Sequence, residues 1–385
     1  MIIYVKTQGS RIIKEGRHLL VKKGEDIYHT LFTYKLRQVI LFGSVEITHR
    51  ALIQLLRNEV DVVFLSQNGR YLGRLATPEA RNVFLHKRQY RLLDDEAFGL
   101  RAAKAMVGGK LANMATLLMR IKRTRHESLA GRKAEAIQEL IRMMASVDSI
   151  DSLRGYEGRG AAHYFEAFPR GFLEDWGFTR RVRRPPTDPV NSVLSLLYTF
   201  LMNRVYAAVR IASLDPYPGF LHTIDYGRYS LVLDLMEEFR PIIADTLTLS
   251  LFNLRILKRD DFYIEQAAPS DLDAVLHERP QDVTKDPIGL MTGTGNEMTF
   301  KDLPEQRMDS GSGDGEATTG KYPVKLQDDA FRRVIEAFEK KLTTEFFHPP
   351  AERQLTYAEA IIYQANHFRK VIEGEAEVYQ PLLLK

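Results

Sequence analysis

The spacing of apolar positions changes once along the chain, near residue 76, and the change divides it in two. From Met1 to about Leu75 the apolar residues come in short runs rich in β-branched and aromatic side chains: Ile2 to Val5, Arg11 to Ile13, His18 to Val21, Val39 to Phe42, Val60 to Leu65 and Tyr71 to Leu75. Gly9, Gly16, Gly24, Gly43 and Gly69 fall between them, so each run reads as a strand closed by a tight turn. One helix, roughly Arg50 to Asn58, interrupts the series. No histidines or carboxylates cluster here, and the segment reads as a β-sandwich-like scaffold with a docking role.

Beyond it the period becomes 3.6. Thr77-Pro78 predicts a helix start, with threonine as N-cap and proline at the first helical position. The boundary falls within 76–95 and gives an α+β fold: a β-rich domain over 1–85 and a larger all-α domain over 86–385. Leu111, Met114, Ala115, Leu118 and Met119 form one stripe, and Ala136, Ile137, Leu140, Ile141 and Met144 another. Methionines at this spacing are core filler. The helical reading continues to Lys258, broken only by Gly/Pro joints.

Those joints carry information. Arg184-Pro185-Pro186-Thr187-Asp188-Pro189 bends the chain before a helix from about Val190 to Leu214 that buries Leu194, Leu197, Leu201 and Val205. Asp215-Pro216-Tyr217-Pro218-Gly219 then ends it and leads to His222. A proline-stiffened loop loses less entropy on ordering, so a ligand carried on it is better positioned. From Ala267 to Lys321 the periodicity fades and SGSGDGEATTG, residues 310–320, is of linker type, which predicts a flexible insertion at 267–321. Asp328 to Leu342 and Thr356 to Ile372 resume as helices, the second opened by a capping box of Thr356 and Glu359.

With 385 residues, 44% of them hydrophobic, the chain can bury a substantial core. The absence of cysteine excludes disulfides and thiolate metal sites. No charged start leads into an apolar segment and no apolar run approaches 18 residues, so a cytoplasmic protein without a membrane span is expected. The net charge of +4 from 54 basic and 50 acidic residues is modest, and its distribution matters more than its total. Lys87-Arg88 with Arg91, Lys122-Arg123 with Arg125, and Arg180-Arg181 with Arg183-Arg184 are the dense clusters. A solvated helix face explains each alone. The last lies between two acidic motifs, so it is the best candidate for holding a polyphosphate strand.

The first acidic motif is SLRGYEGRGAAHYFEAF, residues 152–168, where Glu157 sits among Gly155, Gly158 and Gly160. Each glycine costs a helix about 0.8–1.0 kcal/mol relative to alanine, so three around one carboxylate imply either tight helix packing or close approach by a ligand. The second is GFLHTIDYGRYSLVLDLMEEFRP, residues 219–241. A helix from near Tyr229 puts Leu231, Val232, Leu235, Met236 and Phe239 on one arc and Asp234, Glu237 and Glu238 on the opposite one. An acidic face of this kind also serves simply to keep a helix solvated. Tyr164, Tyr217 and Tyr226 read as core in preference to base-stacking platforms, Asn191, Ser192 and Ser195 as helix caps in preference to DNA contacts, and Arg228 as a residue that fixes its loop.

In order and spacing, LRGYEGRGAAHYF, RPPTDPVNSVLSLLYTFL and GFLHTIDYGRYSLVLDLMEEFRP resemble three blocks of the CRISPR-associated integrase family, the DNA-inserting subunit of the spacer-adaptation machinery. The resemblance covers most of residues 1–265 and, weakly, 325–375. It implies that Glu157, His222 and Glu237 bind a divalent metal. It also implies that Asp234 is a further carboxylate required for activity, either reaching the metal or orienting His222 and water. Glu238, one helical step from Asp234, is the competing assignment, and only the family pattern favours Glu237. One imidazole with two or more carboxylates suits Mn²⁺ or Mg²⁺.

The expected activity is that of a metal-dependent integrase/endonuclease, which joins the 3′-OH ends of short foreign DNA to a CRISPR repeat by transesterification. Double-stranded DNA, a second copy docked through the N-terminal domain, and a small ferredoxin-like adaptation subunit are the implied partners. The alternatives are a free-standing metal-dependent nuclease, a related mobile-element transposase, and a non-enzymatic assembly factor.

Overall fold

The computed structural model describes residues 2–67, 69, 71–75, 82–182, 185–222, 225, 227–264 and 322–384. Its N-terminal part comprises β1 (Ile2–Val5), β2 (Arg11–Glu15), β3 (His18–Lys23), β4 (Asp26–Leu31), β5 (Gln38–Phe42), β6 (Glu46–Ile47), α1 (His49–Arg57), β7 (Asp61–Leu65) and β8 (Tyr71–Leu75). One sheet has the order β1-β5-β7-β8, parallel except for the last pair, and the other the order β4-β3-β2-β6, antiparallel except for the last pair. Strand β4, DIYHTL, escaped the pattern because its first five residues are all exposed and no in/out alternation marks it. Strand β6 has only two residues.

Strand β5 explains how the two parts of the chain meet. All five of its residues, QVILF, are buried. Val39 and Leu41 point into a core shared with Ile12, Leu19, Val21, Leu55 and Val62, between the two sheets and under α1. Ile40 and Phe42 point the other way and join the helical core. A strand covered on both faces needs a continuous apolar run, which is what this one has. The Phe42 ring meets Phe331 edge-on at 5.2 Å and Phe200 at 6.4 Å, so one face of the β1-β5-β7-β8 sheet is already docked against this chain's own helices.

The remainder is helical: α2 (Val83–Leu93), α3 (Glu96–Arg125), α4 (Ser128–Met143), α5 (Ile150–Ala167), α6 (Pro189–Ile211), α7 (Ser230–Met236), α8 (Thr246–Asn253), α9 (Asp328–Leu342) and α10 (Tyr357–Glu373). Two antiparallel ribbons interrupt it, Phe262–Ile264 with Val324–Leu326 and Glu345–His348 with Arg353–Thr356. Helix α3 is uninterrupted by proline, starts where the Asp95 side chain accepts the Phe98 N–H, and ends at His126 in the left-handed region. The Thr77-Pro78 start lies outside the described residues; α2 begins at Val83, where Asn82 caps Leu85 at 3.1 Å. The expected insertion at 267–321 also lies outside them. The Thr356/Glu359 capping box is formed.

Helix α6 differs from the expectation that no segment is long and apolar enough to cross a membrane. By length and composition it qualifies, and most of it is buried inside the protein. Its apolar positions surround it because it runs through the middle of the bundle, in contact with α7 and α10 among others.

Candidate metal centre

The loop between α6 and α7 carries His222, and three elements hold it. From α2, Gln89 bonds both the Asp215 carbonyl and its N–H, while the Tyr90 hydroxyl donates to Asp215 Oδ2 at 2.8 Å. From α5, Arg154 donates through Nε and Nη2 to the Leu221 carbonyl at 2.9 and 2.7 Å. From α7, Asp234 accepts the backbone N–H groups of Phe220, Leu221 and His222 at 2.6, 3.0 and 3.0 Å. Gly219 makes the last arrangement possible: a Cβ there would lie 2.6 Å from the Ser230 backbone carbon and 2.9 Å from Asp234 Oδ2.

The Asp234 carboxylate also takes the His222 ring, Nδ1 to Oδ1 at 2.6 Å. With four hydrogen bonds its oxygens are committed to the loop, so of the two roles open to Asp234, orienting His222 is the one its geometry serves. A carboxylate only accepts, so Nδ1 carries the proton, and in the neutral ring Nε2 presents a lone pair. That Nε2 lies 3.7 Å from Glu237 Oε1.

Glu237 stands at the C-terminal end of α7, where the helix changes pitch. Pro241 cannot donate to the Glu237 carbonyl one turn back, and a π-helical turn follows over Arg240–Asp245. Arg240 folds back to place Nη2 3.3 Å from Glu237 Oε1. The other oxygen, Oε2, is 2.6 Å from Lys110 Nζ on α3, and the same ammonium pairs with Glu157 Oε1 on α5. Burial alone would raise the Glu237 pKa, but Arg240, Lys110 and His222 outweigh it and hold the carboxyl at about 2. A lysine ammonium therefore lies between Glu157 and Glu237 Oε2, while His222 Nε2 and Arg240 approach the other oxygen of Glu237. Among the described residues, no group of three or more histidine and acidic side chains is arranged as a ready-made cation site.

Two features of the sequence reading change. The acidic arc of α7 does not face water: every residue from Ser230 to Asp245 is buried, acids and apolar residues alike. Nor do its carboxylates share one destination. Glu238 turns to the C-terminal tail, accepting from Gln364 Nε2, the Tyr379 hydroxyl and the Leu382 N–H, each at 3.0 Å. Burial pushes its pKa up to about 8, against the lowering effect of those three donors. Tyr379 and Leu382 lie near the chain's end, and Asn113 holds the same tail through the Leu382 carbonyl and the Leu384 N–H.

The glycines around Glu157 also separate. A side chain at Gly160 would run into Leu111, so this one serves helix packing, whereas at Gly155 and Gly158 nothing lies within 4 Å.

Arg181, expected on a strand-binding surface, is instead built into the protein: Nη1 bonds Asn191 Oδ1 at 2.8 Å and Nη2 bonds Ser195 Oγ at 3.0 Å. Asn191 is fully buried, linking Arg181, the Arg180 carbonyl and the α6 cap Asp188. Arg180 is exposed, and Arg183 and Arg184 lie outside the described residues. Tyr164 is core and donates to Asp245, as does Tyr198. Tyr217 packs on Tyr229 at the surface, and Tyr226 is outside the described residues.

Sequence reasoning missed Lys110 and Arg240. The signal for Lys110 was present: it interrupts an apolar stripe formed by Val107, Leu111 and Met114, a place where a charge without a partner is costly.

A family model described as CRISPR associated protein Cas1 matches residues 3–277. The CRISPR-associated endonuclease Cas1 3 of Thermus thermophilus is 28% identical over 386 residues, covering all of this chain and 97% of the relative. Among solved structures, a casposase bound to integration product has a TM-score of 0.76 at 19% identity, over 98% of this chain and 92% of that one. A Cas6-RT-Cas1–Cas2 complex reaches 0.77 at 22% identity, over all of this chain and 36% of that one. Both structural likenesses concern the fold.

Proposed function

This chain belongs to the CRISPR-associated Cas1 family, and we propose that it is a divalent-metal-dependent DNA integrase that joins 3′-OH ends of short duplexes to a repeat by transesterification. The observation that carries the reading is that Glu237, buried, has Lys110 shared with Glu157 on one oxygen and the Nε2 side of His222 3.7 Å from the other. One imidazole and two carboxylates form the mixed nitrogen and oxygen set that Mn²⁺ accepts readily and Mg²⁺ tolerates. Such a cation, when bound, polarises a phosphate oxygen and lowers the pKa of a hydroxyl beside it.

The chain's own residues then have separate tasks. Glu157 and Glu237 supply negative charge, and His222 presents Nε2. Asp234 fixes the ring and the loop behind it. Arg240 remains on Glu237 and leaves positive charge close to an incoming phosphate. Double-stranded DNA is the substrate class, and a small ferredoxin-like adaptation subunit and a second copy of this chain complete the assembly. The partner is supported by the resemblance and by the Cas1–Cas2 complex of similar fold.

The test combines the protein, its partner subunit, a labelled duplex with free 3′-OH ends and a repeat-bearing plasmid, with Mn²⁺ or with EDTA. Label entering the plasmid only with Mn²⁺ is the expected result. Plasmid nicked without label assigns the centre to hydrolysis, and metal-independent joining removes the reading.

A further inference from the structure

Lys110 is buried on all sides, yet its ammonium ends between two carboxylates from different helices, Glu157 of α5 and Glu237 of α7. In a dry site two carboxylates drawn to one point repel, and leaving either charge uncompensated is strongly destabilising. Arg240 neutralises only Glu237, on its far oxygen. A positive charge between the pair offsets that repulsion when no metal does.

We propose that Lys110 is a built-in counter-ion: it occupies the cation position in the metal-free protein and competes with the metal for Glu157 and Glu237. This rests on the metal-centre reading above. The choice of lysine fits the task, because an ammonium is a point charge on a flexible four-carbon stem and can withdraw by rotating that stem. An arginine fork would bind both carboxylates with fixed geometry and leave less readily. The exchange puts a divalent charge in place of a single one. The exchange makes the site one unit more positive, which favours a DNA phosphate beside it, so metal and DNA bind cooperatively.

The test measures Mn²⁺ alone binding to the full chain by electron paramagnetic resonance, for wild type, Lys110→Met and Glu157→Gln, with melting temperatures recorded with and without Mn²⁺. Lys110→Met is expected to bind Mn²⁺ about tenfold tighter or more, since one repelling charge is gone. It should also melt lower than wild type without metal and recover most of that deficit with it, which a merely structural lysine would not do. Unchanged or weaker Mn²⁺ binding by Lys110→Met, with Glu157→Gln having lost it, overturns the counter-ion role and leaves the metal centre standing. Equal binding by wild type and Glu157→Gln removes both. Should Lys110→Met fail to fold, wild type labelled with [¹⁵N]lysine decides. A protected ammonium resonance that moves on saturation with Mg²⁺ supports the exchange, and none moving overturns it.

Discussion

Glu237 and Glu238 are neighbours in the chain and are both almost fully buried, yet they live in opposite electrostatic surroundings. Cations surround Glu237, and its carboxyl is held at about 2. Glu238 meets only uncharged donors, from Gln364, Tyr379 and the Leu382 backbone, and burial carries it to about 8. One helical step of about 100° sends one acid to the cation position and the other to a tail strap. The chemistry of a carboxylate is decided by what lies opposite it: Arg240, Lys110 and His222 for Glu237, and groups more than a hundred positions away for Glu238.

The comparison breaks most sharply with Glu237→Gln. Strand joining should fall to background while Glu238→Gln retains it, scored by label transfer to the plasmid; equal losses would erase the distinction. Gly219→Ala comes next. Its Cβ would push Ser230 and Asp234 apart, so destabilisation by roughly 1–3 kcal/mol in denaturant melts, together with loss of joining, is expected.

Asp234→Asn keeps the shape of the residue that orients His222 but not its charge. A loss of about 10–100-fold in Mn²⁺ affinity or joining is expected, together with a lower melting temperature, because the amide nitrogen cannot accept the N–H groups that one carboxylate oxygen holds.

The smallest effect is one of pH. Glu238 has a folded pKa raised from 4.5 to about 8, so its contribution to stability is complete below pH 4.5 and lost as pH rises through about 8. Glu237 has the reverse sign: its contribution is present above pH 4.5 and lost as pH falls toward about 2. Wild type is expected to decline in melting temperature between pH 5 and 8, and Glu238→Gln to lose that decline while keeping the acid limb. An unchanged slope would show that Glu238 does not titrate there.

A solvated acidic face, the alternative reading of α7, is excluded by its burial. The basic cluster teaches the same lesson from the other side. Arg181 lies in a run that reads as a free cationic surface, and Asn191 and Ser195 take its guanidinium because α6 folds back beside it.

What the amino-acid order determined by itself is local or carried by spacing. The strand-rich start and helical remainder follow from periods of 2 and 3.6, the cap at Thr356 from a side chain a few residues from the backbone group it bonds; the helix Pro189–Ile211 is capped by Asp188 and not by Asn191, Ser192 or Ser195. The residues Glu157, His222, Asp234 and Glu237 were singled out by the resemblance to three family blocks, with Glu238 left as a competitor by helical spacing alone. Only the tertiary structure sent Glu237 and Glu238 to different partners, placed Lys110 and Arg240, and turned Arg181 inward. Each of those outcomes depends on which distant group fills a low-dielectric space, and helical period records which way a side chain points without recording what it will meet.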